Sequence, residues 1–266
     1  MPAPQALERL RIAAIADLHY TGGGDASPVP ILLQTSEVAD VLLICGDLTH
    51  HGLIEEALGL AKELTGFRIP ILAVLGNHDF HSGQQEGIKK ELQGSPIRVL
   101  DGDAVEIHGV AFAGVKGFAT GFGRRVLEPW GEEIVKQFVR HSVDEALKLE
   151  SALAQTRAER RIALLHYAPI VDTVEGEPLE IHPFLGSSRL EEPLNRFRVV
   201  AAFHGHAHHG RHEGKTSSGI PVYNVSLPLL RRTRPDAPPF RILELDLSDK
   251  SPDSERRAQP REATRI

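Results

Sequence analysis

The stretch from residue 45 to residue 79 places a polar motif directly after each of two short apolar runs. Residues 41–44 lead into a Gly-Asp pair, and residues 71–75 lead into Gly-Asn-His-Asp. Between them, residues 52–66 carry apolar side chains at the spacing of a helical face. The pattern predicts a strand, a crossover helix and a second, parallel strand. Because parallel strands present ligands at their carboxyl ends, we expect Asp47, Asn77 and His78 to converge at one sheet edge.

The same arrangement, an apolar strand that ends in a metal-ligand residue type, recurs after residues 10–16, 161–165 and 199–203. Carboxylate, amide and imidazole groups in this mixture suit divalent iron, manganese or zinc. The set is too large for one tetrahedral zinc ion, which takes about four protein ligands. It suits two ions that share a carboxylate. The predicted ligands are Asp17, His19, Asp47, Asn77, His166, His206 and His208.

Composition narrows the class of protein. The 266 residues are 41% apolar and 25% charged, which fits one large globular domain or two small ones. The formal net charge of −6 argues against broad electrostatic binding to nucleic acid or to an anionic membrane, although a local basic groove stays open. We therefore predict no membrane partner and find no strong signal for nucleic acid.

The single cysteine, Cys45, falls within a predicted strand and excludes a disulfide within the chain. The apolar run near the N-terminus is too short for a signal peptide and leads straight into Asp17. No run is long enough to cross a bilayer. These features predict a cytoplasmic protein.

The remaining pattern predicts a single domain over residues 1–247, followed by a polar and disordered tail at 248–266. Residues 127–157 are predicted to form one or two helices, and Trp130 is predicted to be a core or interface anchor. The predicted apolar face consists of Trp130, Ile134, Phe138, Val143, Leu147 and Leu149. Short strands separated by Gly and Asp turns suggest that the second half of the sheet system is a meander. Residues 168–188 form a proline-containing loop whose length is typical of a lid or binding loop.

In chain order, the motifs D-x-H at 17–19, G-D at 46–47, G-N-H-D at 76–79, His166 and G-H-x-H at 205–208 resemble those of the calcineurin-like metallophosphoesterases. The resemblance covers residues 10 to about 210. Each motif alone is weak, but five in order after five apolar runs are specific. The resemblance implies an α/β fold with two facing mixed β-sheets flanked by helices, in four layers.

The resemblance also implies roles for the motif residues. Two divalent ions (Mn, Fe or Zn) would bind on either side of a shared Asp47, and a metal-bridging hydroxide would attack phosphorus in line. His78 would act as general acid, and Asp79 would accept a hydrogen bond from the other His78 nitrogen. One ion would be held by Asp17, His19, Asp47 and His208, and the other by Asp47, Asn77, His166 and His206.

One departure from the family bears on the substrate. Protein Ser/Thr phosphatases carry Asp-Arg-Gly shortly after the second motif, whereas this chain has Leu-Thr-His-His-Gly at 48–52. The phosphate-clamping arginine is absent there, and the motif is similar to that of small bacterial-type phosphodiesterases. We therefore expect hydrolysis of a small phosphodiester or a cyclic nucleotide. The alternatives are a phosphomonoesterase or protein phosphatase, a nuclease, and a non-catalytic scaffold; the oligomeric state, a homodimer included, stays open.

Four further residues are candidate substrate contacts. Arg124 and Arg125 follow a glycine-rich turn and could clamp a phosphate, although solvated arginines at a helix start are more common. His50 and His81 lie next to motif residues, where most histidines are solvated or support a ligand without touching substrate.

Overall fold

The computed structural model describes residues 7–24 and 27–248, so the predicted C-terminal tail falls almost wholly outside the described residues. The strands of the described part belong to two sheets. In chain order they are β1 Arg9–Ile15, β2 Val41–Cys45, β3 Ile71–Val74, β4 Ile97–Val99, β5 Asp103–Ile107, β6 Val110–Gly114, β7 Arg160–Leu164, β8 Ala201–His204, β9 Glu213–Lys215, β10 Pro221–Asn224 and β11 Arg241–Asp246.

Helices connect these strands and cover the outer faces of both sheets. Short 3-10 turns add to them, including His78–Phe80, Gly123–Arg125 and Leu179–Ile181. No helix in the described residues combines the length and apolar character that a bilayer span requires. The α-helices are α1 Val29–Val38, α2 Ile54–Glu63, α3 Gln85–Gln93, α4 Glu133–Gln155, α5 His182–Leu185, α6 Glu191–Arg196 and α7 Leu227–Thr233.

The first sheet has the strand order β11-β1-β2-β3-β4. Strands β1 to β4 are parallel, and β11 pairs antiparallel with β1 at the edge. The predicted crossover unit is confirmed, because α2 connects β2 to the parallel neighbour β3. All four parallel strands therefore point their carboxyl ends in one direction.

The second sheet has the order β5-β6-β7-β8-β10-β9, and the predicted meander is wrong for most of it. At its two edges, β5 pairs with β6 and β9 pairs with β10 as antiparallel hairpins, whereas β6, β7, β8 and β10 are mutually parallel. Parallel neighbours need a long crossover, which α4 supplies between β6 and β7. The meander prediction is therefore correct for the edge hairpins but not for the parallel strands between them.

Three apolar clusters fill the spaces between four layers. The central cluster lies between the two sheets and includes Ile12, Leu43, Phe112, Leu164 and Phe203, all fully buried. A second cluster packs α1 to α3 on the first sheet, and a third packs α4 and α6 on the second. The predicted fold, two facing mixed sheets flanked by helices, is confirmed.

Helix α4 is shorter than predicted, and only part of its predicted apolar face is buried. Ile134 and Leu147 are 72% and 55% exposed, and Trp130 precedes the helix at 69% exposure. Leu149, by contrast, is buried. Leu147 lies two residues before it, about 200° around the helix, and so points to the opposite side. Trp130 is therefore not a core anchor.

Candidate metal centre

The predicted ligands meet where the carboxyl ends of both sheets come together. Asp17 and His19 follow β1, Asp47 follows β2, and Asn77 follows β3 of the first sheet. The second sheet contributes the ligands that follow β7 and β8, namely His166, His206 and His208. Each sheet thus supplies part of the site, and the site spans the seam between them.

Four of these ligands have left-handed backbone conformations. The φ angles are 58° at Asp17, 45° at His19, 50° at Asp47 and 68° at His206. Few non-glycine residues adopt positive φ, and Asp and His are among the types that do so most readily. The backbone therefore turns sharply at the end of each strand, as is common where side chains must be aimed at a functional site.

Asp17, His19 and His208 form one group of side chains with the spacing of a metal site. Nε2 of His208 lies 3.5 Å from Oδ1 of Asp17, and Nε2 of His19 lies 3.9 Å from Oδ2 of Asp47. Burial lowers the pKa of His19 to about 4, so its ring is neutral at pH 7. Burial opposes ionisation of Asp17, but its hydrogen bond with the His208 side chain holds its pKa below the ordinary value.

Asp47, His166 and His206 form the adjoining group. Nδ1 of His166 lies 3.0 Å from the Cys45 carbonyl oxygen, and its Nε2 lies 2.8 Å from Oδ1 of Asn77 and 3.4 Å from Oδ1 of Asp47. Nε2 of His206 donates to the Phe184 carbonyl oxygen at 3.2 Å, which leaves its Nδ1 free. This group and the first lie side by side, with Asp47 between them.

The side chains fit divalent cations. Both ring nitrogens of His19 are buried without a hydrogen-bond partner, although it sits beside two carboxylates. Burial also holds the pKa of His166 well below its ordinary value. A neutral His166 that donates from Nδ1 to Cys45 turns the Nε2 lone pair toward the oxygens of Asn77 and Asp47. A cation between these atoms would turn that repulsion into coordination, and neutral imidazoles are the form that binds metals.

The environment of Asp47 disfavours its ionised form. Burial, followed by the charges of Asp17 and Asp79, raises the pKa of its carboxyl well above the ordinary value. Ionising two neighbouring buried carboxylates is unfavourable in free energy unless a positive charge compensates them. Bound cations would supply that charge, so the ionised form of Asp47 and metal binding should be coupled.

Motif glycines make this packing possible. A Cβ at Gly76 would lie 2.1 Å from Oδ1 of Asp47, and one at Gly46 would lie 2.3 Å from Nδ1 of His166. A Cβ at Gly205 would lie 2.7 Å from Oδ2 of Asp17. Each motif glycine therefore leaves room for a ligand from another strand.

Residues 10–210 match the profile of the calcineurin-like phosphoesterases, which is about three quarters of the chain. The chain belongs to this family. The resemblance found in the motifs is thereby confirmed.

Among curated proteins, the calcineurin-like chain is 29% identical over 178 residues to a probable cyclic nucleotide phosphodiesterase of Vesicomyosocius okutanii. The match covers 64% of this chain and 62% of that relative, so it spans less than two thirds of the relative's length.

Solved structures share the fold at low sequence identity. The phosphopantetheinyl hydrolase of Mycobacterium tuberculosis aligns with a TM-score of 0.62 and 15% identity, over 90% of this chain and 96% of that one. GAP50, the anchor in the inner membrane complex of Plasmodium, aligns with a TM-score of 0.54 and 13% identity, over 83% and 72%.

The turn after β3 departs from the family-based expectation for Asp79. This buried carboxylate accepts from the backbone N–H groups of Leu48, Thr49 and Gly76 and from the Thr49 hydroxyl, at 2.6 to 3.3 Å. Nδ1 of His78 instead donates to the His50 carbonyl oxygen at 2.7 Å. Asp79 thus joins the loops after β2 and β3, and the predicted Asp79–His78 hydrogen bond is wrong. Sequence order alone could not show that the Asp79 carboxylate would bind Thr49 rather than the ring of His78.

His78 lies at the edge of the site, next to other imidazoles. Its ring is 4.3 Å from that of His19 and 4.2 Å from that of the exposed His81, and its backbone N–H donates to Oδ1 of Asp47 at 2.8 Å. His50 joins His19 and His78 in a third close group. Since Nδ1 of His78 is engaged, its Nε2 is the nitrogen left to meet a substrate.

Arg124 is exposed in the 3-10 turn that follows Phe122, where the Gly123 N–H donates to Ser188 Oγ at 2.9 Å. Arg125 shares this turn, but its side chain lies outside the described part of the structure. The substrate contacts predicted for both arginines, and for His50 and His81, remain predictions.

Two cationic side chains near the site were missed in the sequence. Lys116 is 8% exposed, and its Nζ lies 4.8 Å from the ring centre of Phe118, 5.1 Å from that of Tyr167 and 5.2 Å from that of Phe80. It follows the apolar strand β6, so the strand-end pattern used for the metal ligands would have found it. Arg232 donates to the His208 carbonyl oxygen at 2.9 Å from helix α7, and no sequence signal pointed to it.

Proposed function

We propose that this calcineurin-like protein is a phosphodiesterase that uses two divalent ions. The observation that carries the proposal is the orientation of the Asp47 carboxylate. Its Oδ2 faces Nε2 of His19 at 3.9 Å, and its Oδ1 faces Nε2 of His166 at 3.4 Å. A carboxylate with one oxygen toward each ligand group is what a pair of bridged ions requires.

The predicted ligand sets assign residues to each ion. Asp17, His19, Asp47 and His208 would hold one, and Asp47, Asn77, His166 and His206 the other. When bound, the ions would supply Lewis-acid stabilisation of the phosphoryl oxygens and would activate water as the nucleophile. Manganese, iron and zinc all suit this mixture of oxygen and nitrogen ligands.

His78 supplies the acid of the proposed reaction. Attack by water forms one P–O bond and breaks the bond to the leaving alcohol, whose oxygen must gain a proton. Because Nδ1 of His78 is bound to the His50 carbonyl, Nε2 is the available donor. Asp79 does not touch this ring; it fixes the loops that carry Asp47 and His78.

Preference for a diester is supported by the absence of an arginine in the motif at residues 48–52. A monoester dianion gains more from additional fixed positive charge than a diester monoanion does. The name of the Vesicomyosocius okutanii relative, a probable cyclic nucleotide phosphodiesterase, agrees with a diester substrate. A cyclic nucleotide is the narrower candidate within this class.

A non-catalytic role is the competing proposal, since GAP50, described as an anchor, has the same fold. Scaffolds of this kind typically lose a ligand or the acid. In this chain every predicted ligand type and His78 are retained, which supports an enzyme.

The test compares kcat/KM for bis-(p-nitrophenyl) phosphate and p-nitrophenyl phosphate on one preparation reconstituted with Mn²⁺. Cyclic AMP and a phosphopeptide are then assayed on the same material. We expect the diester to be preferred. Preference for the monoester or the phosphopeptide would overturn the diester assignment, and no hydrolysis with any divalent metal would favour the scaffold.

A further inference from the structure

Large apolar side chains are exposed on the segment that directly follows His166. Leu179 is 78% exposed and Phe184 is 58% exposed, while Val171 and Ile181 are each 40% exposed. Single exposed apolar residues need no explanation, but several together beside a catalytic cleft mark a binding surface. This segment was predicted to be a binding loop, and it includes the short helix α5.

A cavity joins this segment to the metal centre. Its volume is about 340 Å³, and the predicted ligands Asn77 and His206 form part of its lining. Apart from Tyr167, the remaining lining is apolar and includes Phe118, Phe138 and Phe184. A second cavity of about 490 Å³ shares Phe138 and Phe184 and continues toward Val171 and Leu179. The two cavities are neighbours that share the side chains of Phe138 and Phe184, and together we call them the apolar cleft.

Aromatic rings support the walls of this apolar cleft. Phe138 contacts Phe118 with ring centres 4.8 Å apart and Phe184 with ring centres 6.4 Å apart. Tyr167 lies against the ring of His206, with centres 4.5 Å apart. A group bound in the cleft would therefore be held at a fixed distance from the metal ligands.

The polar side chains that line the second cavity, Thr120 and His182, are engaged with the protein itself. The hydroxyl of Thr120 bonds with Ser187 at 2.7 Å, and Nε2 of His182 donates to the Glu177 carbonyl oxygen at 3.2 Å. A nucleobase placed there would lose water from its polar edge without gaining equivalent partners, which is unfavourable. An aliphatic chain would lose no hydrogen bonds and would cover the exposed side chains.

We propose that the apolar cleft binds a hydrophobic alkyl or acyl substituent on the phosphate, so that the preferred substrates are amphiphilic phosphodiesters. The proposal rests on the proposed phosphodiesterase function and narrows its substrate class. The metal centre would hold the charged phosphate, and the cleft would hold the chain.

The kinetic test uses methyl, butyl and octyl p-nitrophenyl phosphate, each below its micelle-forming concentration, on the full chain reconstituted with Mn²⁺. A fully buried methylene is worth about fourfold in affinity. Because part of the chain stays exposed, we expect kcat/KM to rise at least about tenfold from the methyl to the octyl ester. In Phe184→Ser and Leu179→Ser the octyl-to-methyl ratio should fall to within about threefold of unity. Leu147→Ser, on the exposed face of α4, is the matched control and should keep the ratio.

A binding measurement separates the cleft from turnover. Calorimetric titration with methylphosphonate and octylphosphonate should give a lower Kd for the octyl compound, and the difference should shrink in Phe184→Ser. If no diester is hydrolysed but octylphosphonate still binds more tightly, the proposed function fails and the apolar cleft stands. If bis-(p-nitrophenyl) phosphate is hydrolysed but chain length has no effect, the cleft proposal fails alone.

Two other occupants of the cleft would also overturn the proposal. A higher kcat/KM for cyclic AMP than for the octyl ester would indicate that a nucleoside binds there. Sedimentation analysis that shows a dimer lost in Leu179→Ser and Phe184→Ser would indicate that a second copy of the chain covers the surface.

Discussion

The carboxylate of Asp79 and the hydroxyl of Thr49 lie 2.6 Å apart, in a buried contact between the loops after β2 and β3. Three backbone N–H groups also donate to this carboxylate. In Asp79→Asn an amide would face donors with only one acceptor oxygen. We expect the free energy of unfolding to fall by about 2–4 kcal/mol, since buried hydrogen bonds to charged groups are strong.

Urea unfolding of the metal-free protein and metal analysis after reconstitution measure this effect. Metal content should fall as well, because Asp47 lies in the supported loop. Asp144→Asn, at an exposed position on α4, is the control. Unchanged stability and metal content in Asp79→Asn would show that the contact does not hold the loops.

His78 has no place in either predicted ligand set. We expect His78→Ala to keep its metal content and to lower kcat by about 10²–10⁴, the usual contribution of a positioned acid. The loss should be smaller for substrates with good leaving groups, which need little protonation. Steady-state kinetics on aryl diesters of graded leaving-group pKa check this. An equal loss across the series would point to phosphate binding instead.

The two carboxylate oxygens of Asp47 face different ligand groups, so we expect mutations at the site to change the number of metal ions bound per chain. Asp47→Ala should lose both ions, because it removes a carboxylate whose two oxygens face the two ligand groups. His19→Ala should lose one ion and keep the other. Elemental analysis after exhaustive dialysis gives metal per chain for each variant. If the wild-type protein binds a single ion and shows no second site on titration, the two-ion proposal is wrong.

Gly76 tests the packing of the site without removing a ligand. The Cβ of Gly76→Ala would overlap Oδ1 of Asp47, so we expect weaker metal binding by at least about tenfold, the lower end for disturbed ligand positioning. Gly94→Ala is the matched control, because its Cβ would meet nothing closer than 3.4 Å. Competition with a metal chelator gives both affinities. Similar affinities in the two variants would contradict the steric argument.

Lys116 should make the free energy of unfolding depend on pH. Burial lowers its pKa to about 8 in the folded chain, although Glu145 opposes the shift, whereas the ordinary value is 10.5. Between these values the unfolded chain binds more protons, so this group makes stability rise with pH. Below pH 8 the folded state carries the full penalty of a buried charge.

The variant Lys116→Met should therefore be more stable than the wild type at pH 7, by up to about 3 kcal/mol, and the difference should narrow toward pH 10. Denaturant unfolding of the metal-free proteins at pH 7 and at pH 10 measures this difference in stability. A stability difference that does not vary with pH would mean that the pKa of Lys116 is not lowered in the folded protein.

The strand ends of the site could be predicted because the signal is local. An apolar run followed by Asp or His fixes both the direction of the strand and the place of the side chain. Thus Asp17, Asp47 and His166 were predicted as neighbours, and the structure brings them together. Lys116 follows the same rule after β6 and could have been predicted with it.

Other features depend on packing between distant segments. The parallel order of the second sheet follows from how α4 crosses over it, and strand length does not encode that. The partner of Asp79 depends on which donors the β2 loop presents after folding. Leu147 and Leu149 are similar in hydropathy, and only the position of the sheet decides which of them is buried.

The placement of the ligands on both sides of the seam has a consequence for the continuity of the chain. The ligands up to Asn77 precede β4, and those from His166 onward follow β5. If the backbone were cut at Gly102, each fragment would keep only part of each predicted ligand set. We expect the two fragments to reassociate more tightly when divalent metal is present, which size-exclusion chromatography with and without a chelator would show. In such a split protein, bound metal would link the two fragments reversibly. Removing the metal would then weaken the association of the fragments as well as the catalytic activity.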